Sequence, residues 1–191
     1  MINFMTVLAL TVMAAAAGDA AEISPQTVTA CLSGFYGPSD INLARQVTDR
    51  ILAQAGVRIE WRVAKCPSGA LRIKFGWDTP SSLEPRALAH SFPFQGSHIE
   101  VFADRIAMRN RSMRPYVLGY VLAHEITHML QGFDRHSEAG VMKAMWDYND
   151  HSSMRSVKLA LTDLDVTLIH DGMARRGQGL KPSNGGRDTL E

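Results

Sequence analysis

The chain has 191 residues, 46% of them hydrophobic and 20% charged. That is an ordinary globular composition on the scale of one domain, and it is too apolar for general disorder. Lys plus Arg number 20 and Asp plus Glu 19, a formal net charge of +1, so there is no basic field to hold a nucleic acid by its phosphates.

The chain opens on an apolar stretch from Phe4 to Ala17, FMTVLALTVMAAAA. A membrane-spanning helix needs roughly twenty such residues, so this stretch is too short to span comfortably. Small residues follow it at Ala15, Ala17, Gly18 and Ala20, as a signal peptidase site requires. The segment reads as a cleaved secretory signal over residues 1–20, although no Lys or Arg precedes it. The expected location is then secreted or periplasmic, with no stable membrane association after cleavage. Two cysteines remain, Cys31 and Cys66. In an oxidising compartment an even count favours a disulfide, worth ~3–4 kcal/mol in the chain-entropy model. Two free buried thiols, or a thiolate blocking a metal site, are the alternatives.

Ser39 or Asp40 can cap a helix running to about Ala55, with Leu43, Val47, Ile51 and Ala55 along one side and Gly56 as its stop. VRIEWRVA then alternates apolar and charged residues from Val57, and LRIKFGW does so from Leu71 after the turn signal Cys66-Pro67-Ser68-Gly69. Both predict half-buried strands. Two further short strands are expected over Ala87 to Phe92 and Ile99 to Ala103. From Tyr116 to Gln131 the pattern is helical, and Gly132 ends it. Thr162 caps a last helix with Asp163 and Asp165 in its first turn and Arg175 and Arg176 near its end, each suited to the helix dipole. Strands come first and helices late, an α+β layout with a small twisted mixed sheet, one long helix and flanking helices.

The long helix carries His124-Glu125-Ile126-Thr127-His128. Residues four apart share a helix face, so both imidazoles can reach one cation, with Glu125 one step round beside them. Gly132 can take a left-handed conformation and turn the chain back, bringing His136 under the same ion. Three neutral imidazoles and one open position are the pattern of catalytic zinc, and a carboxylate beside it can activate water.

The segment LAHEITHMLQGFDRHSEAGVM resembles the active-site stretch of metzincin zinc peptidases, which have HExxHxxGxxH followed by a methionine-containing turn. The resemblance implies a metzincin-like zincin fold. It also implies His124, His128 and His136 as ligands of one catalytic Zn2+, Glu125 as general base, Gly132 as the turn residue and Met142 as the methionine beneath the metal. Here the glycine comes one residue late and the third His two, giving HExxHxxxGxxxH. Short secreted bacterial metallopeptidase-like proteins are similar in this spacing, with His136-Ser137, Gly140, Met142 and Trp146 matching, and also in AGVRIEW with the cysteine after it. Upstream, LAHSFPFQGSHIEVFAD resembles the rim strand of matrix metalloproteinases and its neighbour. That likeness implies an edge strand for binding an extended peptide, and it maps a second, structural zinc onto His90 and His98.

Other motifs carry less. No phosphate loop and no nucleophile elbow occurs. Asn110-Arg111-Ser112 is a glycosylation sequon, relevant only to a eukaryotic host, and Tyr148 is a candidate oxyanion donor or a simple packing residue. The expectation is a secreted zinc endopeptidase, monomeric, acting on a peptide or protein. Residues 21–176 would form its catalytic domain and 177–191 a flexible tail. Two alternatives stand beside it: an acidic third ligand, Glu138 or Asp147, and a catalytically silent zinc-stabilised binding module.

Overall fold

A computed structural model describes residues 25–34, 36–93 and 97–177. The expected signal segment and the C-terminal tail beyond Gly177 lie outside the described residues.

Five strands form one sheet in the order β2-β1-β3-β5-β4. They are β1 (Gln26–Ser33), β2 (Val57–Arg62), β3 (Leu71–Gly76), β4 (Ala89–Ser91) and β5 (His98–Phe102). All neighbours run parallel except β4, which pairs antiparallel with β5 with Ser91 opposite Ile99. The alternation in β2 and β3 sets the two faces. Val57, Ile59, Leu71, Ile73 and Phe75 are buried, while Arg58, Glu60, Arg72 and Lys74 face out. Helices therefore cover one face and water the other.

On the covered face lie α1 (Pro38–Leu52), α2 (Ala103–Ala107), α3 (Arg114–Gln131), α4 (Tyr148–Met154) and α5 (Asp163–Gly177). Helix α3 is buried from Val117 to Gln131 without interruption, so it is the centre of the molecule and not an amphipathic surface helix. It crosses α1 closely. A Cβ on Gly119 would stand 2.6 Å from Val47 Cβ and 2.8 Å from the Ala44 carbonyl. Thr48 fills the crossing by donating to the carbonyls of Ala44 (2.9 Å) and Gly119 (3.0 Å). Helix α5 packs on the far end of α3, where Gly172 meets the Leu130 carbonyl so tightly that no Cβ fits.

The α+β layout agrees with the sequence, and several boundaries differ. Helix α1 starts one residue before Ser39, with Gly37 as N-cap and Pro38 in its first turn, because proline supplies a helical φ and needs no amide partner. It ends at Leu52, and a 3-10 turn over Ala53–Ala55 reaches Gly56 at φ 64°. Helix α3 starts at Arg114, which takes Pro115 into its first turn. The strand expected over Ala87 to Phe92 is limited to Ala89–Ser91. Strand β1 and helices α2 and α4 have no counterpart in the sequence-based reading. Cys31, near the end of β1, is disulfide-bonded to Cys66 in the loop after β2, and the described residues contain no free cysteine. No helix among them is long and apolar enough to cross a membrane.

Candidate functional site

Helix α3 presents His124 and His128 one turn apart, and Gly132 closes it in the left-handed region at φ 82°. The chain then reverses and brings back His136. The three rings converge, with centroids 4.6 Å apart for His124 and His128, 5.3 Å for His124 and His136, and 5.0 Å for His128 and His136. One nitrogen from each lies within 4.8 Å of the others.

Two of the three rings are oriented by backbone carbonyls. His124 Nδ1 donates to the Val141 carbonyl at 2.9 Å, and His128 Nδ1 donates to that of Phe133 at 3.3 Å. Each donor role fixes the tautomer, leaving both Nε2 atoms as bare lone pairs. Those lone pairs face one another at 3.0 Å. With no proton left to share, such a pair is repulsive unless a cation sits between, and ligands ~2.0–2.1 Å from a tetrahedral zinc are themselves roughly 3.3 Å apart. Burial holds the His124 and His128 imidazoliums well below the usual histidine range, and it lowers His136 as well. The rings are thus neutral at pH 7, as metal ligation requires. This donor set fits zinc.

Val141 lies in a pinned turn. Ser137 N donates to the Met142 carbonyl at 2.7 Å and Val141 N to that of Ala160 at 2.9 Å. Gly140, at φ 78°, approaches Ala160 with no room for a Cβ. Met142 is fully buried in the core behind this turn. Trp146 sets its ring edge-on to His124, with centroids 5.7 Å apart.

Glu125 is buried on α3 beside the imidazoles. Burial is the largest influence on its carboxyl and raises its pKa to about 7, against a hydrogen bond with Ser91 that lowers it. Ser91 belongs to β4, so the edge strand touches the carboxyl directly. The loop before β4 is held by Arg105 of α2, whose guanidinium donates to the Ala87 carbonyl at 2.8 Å. These elements enclose an open cleft of about 680 Å³. It is lined by His124, Glu125, His128 and His136, by Ala87 to Ser91, and by Lys143 to Asp147.

None of the remaining candidates joins the imidazoles in a ligand cluster, although His90 and Asp147 line the same cleft. Asp147 is committed elsewhere: its side chain caps α4 through the amides of Asn149 and Asp150 and pairs with Lys143. Neither it nor Glu138 joins the three histidines within ligand reach. Tyr148 opens α4, is 84% exposed and does not line the cleft. Its exposure leaves it unpacked against the core. His90 and His98 are exposed and out of phase with buried Ser91 and Ile99, and His90 lines the mouth of the cleft. His90 stacks on Phe92 with centroids 4.4 Å apart, and among the described residues no group of three ligating side chains includes either histidine. Sequence reasoning missed Ser91 and also Asp134, whose carboxylate oxygen lies 3.9 Å from His128 Nε2. The short Gly132-to-His136 loop was the available signal for Asp134.

No protein-family model matches the chain, and no curated protein matches it in sequence. Among solved structures, archaemetzincin from Methanopyrus kandleri is similar with a TM-score of 0.53 at 13% identity, over 81% of this chain and 98% of that one. Myroilysin gives a TM-score of 0.40 at 13% identity, over 84% of this chain and 70% of its own. At such identity the archaemetzincin likeness is one of fold. The chain has a metzincin-like α+β fold, built on a five-stranded mixed sheet, with three histidines placed so that they could hold a metal ion.

Proposed function

We propose that the protein is a secreted zinc-dependent endopeptidase, with His124, His128 and His136 as ligands of one zinc ion and Glu125 as general base. One observation carries this reading. Three neutral imidazoles within 4.8 Å of one another share the wall of an open cleft with a buried carboxyl.

A zinc ion held there would supply Lewis acidity to a water and to a peptide carbonyl. The residues do the rest. Glu125, with a pKa near neutrality, takes the proton of the attacking water and returns it to the leaving nitrogen. Strand β4 ends the sheet, and its outer edge offers backbone donors and acceptors to an extended peptide lying in the cleft. Met142 supports the His124 end from below through the Val141–Met142 turn, and Gly132 supplies the reversal that returns His136.

The test is cleavage of a mixed peptide library by zinc-reconstituted protein, together with metal analysis. Expected are one zinc per chain, cleavage products, their loss on chelation and their return with zinc. A chain that binds no zinc overturns the reading. Stoichiometric zinc with no cleavage of any peptide favours a silent binding module, and two equivalents bring in His90 and His98.

A further inference from the structure

His136 differs from its two partners. Carbonyls fix His124 and His128 through Nδ1, whereas the His136 ring makes no hydrogen bond among the described residues. Its direction is therefore set by the loop that carries it. That loop, from Gly132 to Ser137, has little backbone bonding of its own, and side chains hold it instead.

Asp165 is the hub of that bonding. It lies in the first turn of α5 with no solvent exposure. Its Oδ1 accepts from Arg135 at 2.9 Å and from the Ser137 hydroxyl at 2.7 Å, the residues on either side of His136. Its Oδ2 accepts from the Thr162 amide at 3.0 Å and hydroxyl at 2.7 Å. The Asp165 amide donates back to the Thr162 hydroxyl at 3.2 Å, which completes a helix cap. One oxygen serves the helix and the other serves the loop. Helix α5 adds two more ties: the Gln131 side-chain Nε2 donates to the Asp165 backbone carbonyl at 3.3 Å, and the Arg175 guanidinium donates to the Gln131 backbone carbonyl at 3.1 Å. A buried carboxylate with four donors is fully satisfied, and it is costly to disturb from either side.

We propose that Asp165 is a positioning residue for His136, anchoring the metal-ligand loop to the start of α5 and thereby setting the affinity for the ion. This rests on the reading that the three histidines hold zinc. The two oxygens allow the roles to be separated. The double variant Arg135→Met with Ser137→Ala empties Oδ1 and spares the cap, whereas Thr162→Ala weakens the cap and spares the loop. Removing the Arg135 cation would by charge alone favour a dication, so any loss of affinity runs against that effect.

Zinc affinity is measured by competition with a chromophoric chelator, and the melting temperature is measured on the metal-free chains. The double variant is expected to bind zinc about 10–100-fold more weakly. It should also melt lower when metal-free, because it leaves a buried carboxylate oxygen without donors. The separation of roles is therefore read in zinc affinity, against a Thr162→Ala chain that is likewise destabilised. Thr162→Ala should melt lower, with zinc affinity within about threefold of the parent. Zinc bound by the double variant as tightly as by the parent overturns this inference alone. A parent chain that binds no zinc overturns the metal-site reading and this inference with it.

Discussion

A carboxyl buried against three imidazoles makes the stability of the metal-free chain depend on pH, and the signs oppose. The Glu125 pKa rises from 4.5 unfolded to about 7 folded, so the native state holds an extra proton and stability falls as pH climbs across that interval. His124, His128, His136 and His151 are all lowered from 6.5, burial being the largest cause in each. For these the unfolded state holds the extra proton, so stability rises with pH up to about 6.5. Four groups act against one. The melting temperature of chelator-treated protein should therefore rise from about pH 5 to 6.5, and Glu125→Gln should steepen the rise by removing the opposing group. A flat or falling profile in the parent would contradict the burial of these rings. The same substitution separates chemistry from binding. Glu125→Gln keeps the shape and leaves the imidazoles intact, so zinc content should match the parent while peptide hydrolysis falls about 10²–10⁴-fold. Undiminished hydrolysis by the variant would remove Glu125 as the base. His124, Glu125 and His128 are legible in the sequence because helical spacing alone brings them together. Ser91 and Asp165 are not, since β4 and α5 reach the site only through tertiary packing.

Helix α3 is where element-scale rules and packing disagree. By intrinsic propensity, replacing a mid-helix glycine with alanine should stabilise the chain by about 1 kcal/mol. At Gly119 the new methyl would meet Val47 at 2.6 Å and the Ala44 carbonyl at 2.8 Å. Neither is the end of a flexible side chain, so α1 and α3 must separate. Gly119→Ala is expected to destabilise by about 1–3 kcal/mol, as overpacking does, read as a lower midpoint in denaturant melts. A raised midpoint would mean that the helices cross farther apart. The sequence shows that α1 and α3 exist and which of their faces are apolar, but it does not show that they touch at a glycine. Strand β1 was hidden for a related reason. Its QTVTACLS is short in large apolar residues, and its hydrogen bonds go to β2 and β3, which lie far along the chain. Helix α4 did carry a local signal, since Asp147 and Asp150 form a capping box that is readable as D-x-x-D.

Across the whole molecule, the order β2-β1-β3-β5-β4 places the disulfide and the cleft at different ends of the sheet. Cys31 and Cys66 tie β1 to the loop after β2, whereas β4 borders the cleft at the other edge. Parallel pairing between strands distant in sequence leaves no local trace, so this separation became visible only in the fold. It has a thermodynamic consequence. The disulfide acts on the unfolded chain by closing a loop of 35 residues, which in the entropy model is worth ~3–4 kcal/mol. A bound zinc acts on the folded chain by mass action, with an effect that grows with free metal. The two stabilisations share no side chain, and distant independent sites add to within about 0.5 kcal/mol. Four denaturation curves test this, for oxidised and Cys31→Ala/Cys66→Ala protein, each zinc-loaded and chelated. The cysteine substitutions should lower stability by the same amount with or without zinc, and chelation should cost the same with or without the disulfide. A coupling above about 1 kcal/mol would mean that the sheet transmits strain from the β1–β2 edge to the imidazoles, and that the cleft is not braced by α3 and α5 alone.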